Sequence, residues 1–482
     1  MHTSRALIWV ALVFLSADGV LSLSAKGKAA LKKMLKNVDL EERRMRLRNL
    51  KAGKSIITYN NSTITGKSGI NATDEVVDST PELGLTPSNS SILGINKKEG
   101  VDEYLYEGDI NLTEEQLSEL EAAAATYPSR RKRQAQKSAS KWTNKELFYY
   151  FDPSISPEMQ TTVTTALNYI QGRTCLKFTV NATAPNRVAL FDGGGCYSYV
   201  GMVGGEQQLS LASGCNLVGI VSHEFMHALG IVHMQSRSTR DSFLKVDLTN
   251  VPANMQHNYD KLPATDEIVY TPYEYGSVMH YDAQSFATSG NSMIALDAKY
   301  MRTMGSDMVS FYDLQEINKH YLCTGICATG AACVNGGMRN PKNCGVCICP
   351  SGYGGATCAT RQAGCGAALV AKATWTSRTF SVPTNQGTTQ LTNPVKCNDM
   401  ISAPAGKKIQ IRVTAMQNVI CMNGCIYHAI EPKVVANKMM TSPRICCPGQ
   451  LNTILTSGIS PTPVVGHSLY TAPVFTYQYR YV

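Results

Sequence analysis

Three histidines (His223, His227, His233), a glutamate (Glu224) and a glycine (Gly230) fall within eleven residues of the stretch SHEFMHALGIVHMQSRSTRD. On a helix, side chains four apart leave from one face, so His223 and His227 can share a metal ion. Gly230 can take a left-handed conformation and turn the chain so that His233 returns as a third ligand. Three neutral imidazoles leave one tetrahedral position open, the pattern of a catalytic rather than a structural zinc site. Glu224, beside the first ligand, can take a proton from an attacking water and return it to a leaving amine. The chemistry predicted is peptide-bond hydrolysis with one Zn2+ as cofactor. Only nine histidines occur in 482 residues, so this spacing is hard to assign to ordinary core histidines.

Such ligands need a helix, and NLVGIVSHEFMHALG supplies apolar residues at helical spacing and stops at Gly230. Ahead of it, ELFYYFD, CLKFTV, RVALFD and QQLSLA have strand character, and SPEMQTTVTTALNYIQGRT reads as a helix with a Ser-Pro start. An α+β domain is expected around the metal.

The rest of the chain frames that domain. A length of 482 residues predicts two to four domains at roughly 100–200 residues each. Residues 1–22, with Arg5 ahead of an apolar run and then Ala17 and Gly19, read as a secretory signal peptide. No membrane span is expected further on. All sixteen cysteines lie between Cys175 and Cys447, which predicts a disulfide framework and a secreted, extracellular protein. Asn60, Asn61, Asn71, Asn89, Asn111 and Asn181 stand in glycosylation sequons.

Residues 24–54 are rich in Lys and Arg and helix-prone, and are read as a solvated amphipathic helix rather than a nucleic-acid or membrane contact. From there to Gly100 the polar composition predicts a loosely ordered segment. RRKRQ, at 130–134, looks like a furin-type processing site cut after Arg133, so residues 23–133 are read as a propeptide. Beyond Cys323, close cysteine spacing predicts a small stapled module, and runs such as KKIQIRVTAM and VFTYQYRYV suggest a β-sandwich. Up to Arg133 the chain carries 19 basic and 17 acidic residues, from Gln134 to Cys323 it carries 13 and 17, and beyond Cys323 13 and 2. That basic tail could engage extracellular matrix or another polyanion.

The histidine string fits the metzincin pattern. Together HEFMHALGIVHMQSRSTRD and YGSVMHYD resemble the astacin family of zinc endopeptidases, from about residue 100 to the end. The resemblance implies an α+β metzincin catalytic domain, two subdomains around a zinc cleft, at 134–323. It makes His223, His227 and His233 the zinc ligands, Glu224 the base, Met279 the Met-turn and Tyr281 a phenol that supports the oxyanion. YEGDINL is similar to the family's inhibitory motif, with Asp109 occupying the open zinc position and Tyr106 replacing a Phe. Matching the family also pairs Cys175 with Cys323 and Cys196 with Cys215.

The segment with CVNGG and CPSGYGG resembles an EGF-like module at 324–360, implying Cys327–Cys344, Cys333–Cys347 and Cys349–Cys358. Residues 365–482 resemble a CUB domain with a Cys365–Cys397 bridge, leaving the order among Cys421, Cys425, Cys446 and Cys447 open. His428 stands where calcium-binding CUB domains have an aspartate. The module order is similar to that of nematode astacins, and the partners it implies are protein substrates.

The chain departs from the family pattern at Ile231, Met234 and Thr239, usually Phe, Glu and Asp. In relatives the glutamate pairs with the ammonium of the new N-terminus, whereas here Met234 has no charge and Gln134 can cyclise. Asp282 and Ala283 follow the Met-turn, where relatives that prefer acidic residues after the cut carry a basic one. A competing expectation is a catalytically inactive matrix adhesion protein acting through its EGF-like and CUB modules.

Overall fold

The computed structural model describes residues 23–35, 38–50, 91–126, 140–262, 267–384 and 390–482. The signal peptide, the 130–133 cleavage site and the sequons at Asn60, Asn61, Asn71 and Asn89 lie outside the described residues.

The N-terminal segment contributes helices α1 (Ala25–Met34), α2 (Leu40–Asn49), α3 (Ile92–Glu99) and α4 (Glu114–Thr126), with a two-residue strand β1 (Ile110–Asn111) between the last two. Residues 51–90 lie outside the described residues, and over the last ten residues of the expected loose segment the α3 helix corrects that expectation. Its local signals are complete: the Ser91 side chain accepts from Gly94 N–H, and Gly100 ends the helix at φ 68°. Its eight residues were too few for periodicity to stand out in a polar stretch.

The basic run is solvated on α1, where Lys26, Lys28, Lys32 and Lys33 are exposed as expected, but not on α2. Arg43 of α2 is fully buried; its guanidinium donates to the Tyr104 and Leu112 carbonyls and to Asn111 Oδ1, and pairs with Glu114 at 2.6 Å. A buried guanidinium is tolerated because its N–H groups find acceptors. The same contact removes Asn111 as a glycan acceptor, since that side chain is buried and holds Arg43. Asn181 remains half-buried in a turn, its Oδ1 accepting from Thr183 N–H.

The next part opens with β2 (Glu146–Phe151), α5 (Pro157–Gln171), β3 (Lys177–Val180), β4 (Arg187–Phe191), β5 (Cys196–Tyr199), β6 (Glu206–Leu211) and α6 (Val218–Ala228). The sheet order is β1-β5-β6-β4-β2-β3, parallel except for the β5–β6 pair. On α5 the apolar residues recur at helical spacing (Met159, Val163, Ala166, Leu167, Ile170), and all are buried. Every residue of α6 is buried, as expected of a helix apolar on most of its surface.

A second subdomain follows, made mainly of turns and the antiparallel pair Leu244–Val246 with Met293–Ala295, around a core rich in tyrosine and methionine. It closes with α7 (Phe311–His320), where Ser310 and Asp313 cap each other's backbone. Cys175–Cys323 ties the end of α7 to the turn after α5, and Cys196–Cys215 links β5 to the loop before α6.

Residues 327–361 hold two two-stranded sheets and the bridges Cys327–Cys344, Cys333–Cys347 and Cys349–Cys358. From Cys365 on, two four-stranded sheets share an apolar core that includes Phe380, Ile411, Val413, Phe475 and Tyr477. Bridges join Cys365–Cys397, Cys421–Cys447 and Cys425–Cys446, which gives an order to the four cysteines that sequence left open.

Replacing Arg43 by alanine leaves the Tyr104 and Leu112 carbonyls and Asn111 Oδ1 without their donor, and Glu114 with Arg46 alone. The expected cost is about 3 kcal/mol in the packing of the N-terminal segment, read as a lower thermal transition and faster proteolysis within residues 91–126. A stability unchanged within about 0.5 kcal/mol would show that Arg43 does not hold this segment.

Candidate metal centre

The metal centre is assembled from α6, the turn after it and a loop from the far subdomain. His223 and His227 stand one helical turn apart on α6. Gly230 takes φ 94°, as a left-handed turn requires, and the chain reverses to bring His233 back. The Nε2 atoms of His227 and His233 are 3.2 Å apart, and those of His233 and His223 3.3 Å.

Each ring is clamped from behind. The His223 Nδ1–H donates to the Val278 carbonyl at 2.8 Å, that of His227 to the Ile231 carbonyl at 2.9 Å, and that of His233 to the Glu107 carboxylate at 2.7 Å. A carbonyl or carboxylate only accepts, so each Nδ1 carries the proton and each Nε2 presents a bare lone pair inward.

Asp109 completes the group. Its Oδ2 lies 3.2 Å from Nε2 of both His223 and His233, and Oδ1 lies 3.7 Å from His227 Nε2. The four ligand atoms are all within 4.8 Å of one another, and all four residues are buried. Lone pairs so close repel unless a cation sits between them. Two nitrogens each about 2.05 Å from a tetrahedral ion lie roughly 3.3 Å apart, close to the spacings here. Three imidazoles and a carboxylate are also a donor set suited to zinc. The residues therefore fit one zinc ion.

Around this cluster the other expected residues take distinct places. Glu224 is fully buried, with neither carboxylate oxygen hydrogen-bonded among the described residues. Burial, and then the nearby Asp109 carboxylate, push its carboxyl well above the usual range. Met279 is buried, and its carbonyl accepts from Met234 N–H at 2.8 Å, fixing the chain just past His233. The residue before it, Val278, clamps His223 through its carbonyl, while its own N–H donates to Asp313 of α7. One turn thus positions two of the three histidines. The Tyr281 ring lies 4.7 Å from that of His233, and its hydroxyl donates to the Glu107 carbonyl.

The N-terminal segment enters as a tight turn. Glu107 and Gly108 have φ of 50° and 78°, and a side chain at 108 would collide with Leu93 and Phe286. Beyond Asp109, β1 runs parallel to β5 at the sheet edge.

Glu107 is the functional residue that sequence reasoning missed. Its Oε2 accepts from His233 and its Oε1 from Ser236. Its only sequence signal is adjacency to the Gly-Asp pair, which does not say where its side chain points.

The family profile for Astacin, a family of peptidases, matches residues 134–322. Zinc metalloproteinase nas-17 of Caenorhabditis elegans is 36% identical over 414 residues, covering 83% of this chain and 94% of that protein. The chain belongs to the astacin family. Two further Caenorhabditis elegans relatives are zinc metalloproteinase nas-31, 33% identical over 96% of this chain and 78% of that protein, and nas-32, 40% identical over 82% of this chain. The aligned part spans 61% of nas-32.

With the buried ligand group, this membership makes the protein a zinc metallopeptidase that takes one zinc ion. No helix among the described residues is long and apolar enough to cross a membrane. This astacin buries Met234 among apolar residues, its Sδ accepting from Arg237, so no carboxylate stands there for a new N-terminus. Gln134 lies outside the described residues.

A carboxylate behind a ligating imidazole orients the ring and raises its basicity, and its loss costs roughly 10- to 100-fold in metal affinity. The full chain carrying Glu107→Gln is expected to lose zinc to a chromogenic chelator at a concentration about tenfold lower than wild type. Identical zinc retention would mean that Glu107 only packs there.

Proposed function

We propose that the protein is a secreted endopeptidase, held inactive by residues 23–133 and released by cleavage after Arg133. One observation carries this reading: Asp109 reaches into the three-histidine cluster while the Glu107 carbonyl holds the Tyr281 hydroxyl. The N-terminal segment thus engages both the metal position and the phenol.

Zinc bound there supplies a Lewis acid for the scissile carbonyl and lowers the pKa of an attacking water. Glu224, buried beside His223 without a partner among the described residues, takes the proton of that water and delivers it to the leaving amine. Tyr281, freed from the Glu107 carbonyl, donates its hydroxyl to the oxyanion. The turn at Met279 keeps His223 and His233 aligned. Once β1 leaves, β5 becomes an edge strand whose backbone can pair with an extended substrate. Intact ligands and a buried base argue against the inactive adhesion reading.

Two further modules complete the proposal. The bridges of residues 327–358 join cysteines one to three, two to four and five to six, which supports an EGF-like module. The paired four-stranded sheets support a CUB domain at 365–482. His428 is buried there, its Nδ1 accepting from Ile420 N–H, so calcium is not included. Extracellular matrix proteins are the proposed substrates, and the 13 basic and 2 acidic residues beyond Cys323 the proposed polyanion contact.

The chain beginning at Gln134 is expected to cleave protein substrates, and a chelator is expected to stop it. Glu224→Ala should lower kcat/KM by about 10³ or more. Asp109→Ala should make the uncut chain measurably active, and an uncut Asp109→Ala chain as silent as wild type would sink the inhibitory role. Separately, the processed chain should be retained on immobilised heparin and elute with salt; passage without retention would remove the polyanion partner.

A further inference from the structure

Beside His223 and Tyr281 lies a small cavity of about 50 Å³, and its lining comes from three parts of the chain. Leu93 and Gly108 belong to the N-terminal segment, Asp282 and Asp307 to the catalytic domain, and Asn423 and Ile426 to the C-terminal sandwich. When the N-terminal segment leaves, the cavity opens onto the metal position, and the other two walls remain.

Those two walls are locked together by backbone packing. A Cβ on Gly219 of α6 would overlap the Asp307 carbonyl, and one on Gly305 would come within 2.8 Å of the Asp282 Cα. A Cβ on Gly424 would overlap the Gly305 carbonyl, so the sandwich loop lies directly on the loop that carries Asp307. Two bridges, Cys421–Cys447 and Cys425–Cys446, brace that loop. Asn423 joins it to the catalytic domain, accepting from Arg302 at 2.8 Å and donating to Gln284 Oε1 at 3.0 Å.

The cavity is lined by two carboxylates, and an oxygen of one of them is unpaired. Asp307 Oδ2 is buried without a hydrogen-bond partner among the described residues, and Asp282 Oδ1 accepts from Gln284 N–H in its own turn. Burial, and then the Asp282 carboxylate, raise the Asp307 carboxyl to about 7, as befits an anion lacking a counter-charge. One cation whose field reaches Asp282 is Lys97 of α3, which belongs to the N-terminal segment.

Resting on the endopeptidase reading, we infer that this cavity receives the side chain of a substrate residue flanking the scissile bond and selects lysine or arginine there. Asp307 is the pairing carboxylate, and the C-terminal sandwich is part of the substrate site. A cationic side chain supplies the charge that Asp307 lacks, whereas a glutamate would bring a further carboxylate into the same enclosure.

The test uses the chain beginning at Gln134 and a matched set of quenched fluorescent peptides, with Lys, Ala or Glu at each of the two positions flanking the cut. At one of them, kcat/KM is expected to be at least about tenfold higher for Lys than for Glu. Asp307→Asn should bring that ratio close to one, and Asp282→Asn should lower it even if the first variant folds poorly. Ile426→Lys, which adds a competing cation from the sandwich, should cut the ratio by about fivefold. Equal rates for Lys and Glu in the wild-type chain, or a preference that survives Asp307→Asn, overturn the inference. A ratio unmoved by Ile426→Lys overturns the sandwich's part in it. Failure to cleave any peptide removes the endopeptidase reading and the inference with it, whereas cleavage without the preference removes the inference alone.

Discussion

Three imidazole lone pairs pointed at one spot are the constraint on which this structure depends. The His233 nitrogen sits 3.2 Å from that of His227 and 3.3 Å from that of His223 in a buried space, an arrangement that costs free energy until a cation fills it. Rotation of any ring would relieve the repulsion and destroy the site. The fold prevents it with hydrogen bonds at the back of each ring, drawn from three places: the loop just after α6, the 277–280 turn and the N-terminal segment. The turn is itself held by Asp313, whose carboxylate takes Val278 N–H and the Ser277 hydroxyl. Alignment of the zinc helix thus traces back through a turn to a helix ninety residues further along the chain.

The N-terminal segment engages that arrangement with a few atoms of one tight turn. Asp109 provides an anion where the histidines leave a position open, and Glu107 supplies both a carboxylate to His233 and a carbonyl to Tyr281. Gly108 allows the two acids to diverge, one forward to the ligand cluster and one around to the back of a ligand. The rest of the segment anchors this turn: buried Arg43 gathers the strand after it, and β1 pairs with β5. Losing the segment therefore removes a carboxylate from both sides of His233.

Legibility in the sequence followed the range of the interactions. His223, His227, Glu224 and Gly230 lie within one helix and its turn, so spacing alone located them. Strands β2, β3, β4 and β6 and helix α5 were equally local, written in strand-forming runs and in 3.6-residue periodicity. Glu107 and Arg43 were invisible because a lone acid and a member of a basic run look like solvated charges until the fold buries them. Their partners lie 126 and 71 residues away. The α3 helix was missed for a different reason: eight residues in a polar stretch carry too little apolar periodicity, although the Ser91 and Gly100 caps marked both ends.

The C-terminal sandwich shows the limit of reading modules one after another. Cysteine spacing and strand patterns divide the chain into separable units, which invites the view that the tail acts as a tether. Packing contradicts that independence. Glu274, in the loop before the Met-turn, accepts from the backbone N–H of both Gly276 and Thr441, and Arg444 reaches Ser306 while its own N–H donates to Thr303. These contacts join the sandwich to the segments that carry the Met-turn and Asp307. A displacement of the sandwich would disturb the loop beneath it, and that loop abuts α6 at Gly219, one turn before His223. The module most remote in sequence from the zinc helix is, through two loops, in mechanical contact with it.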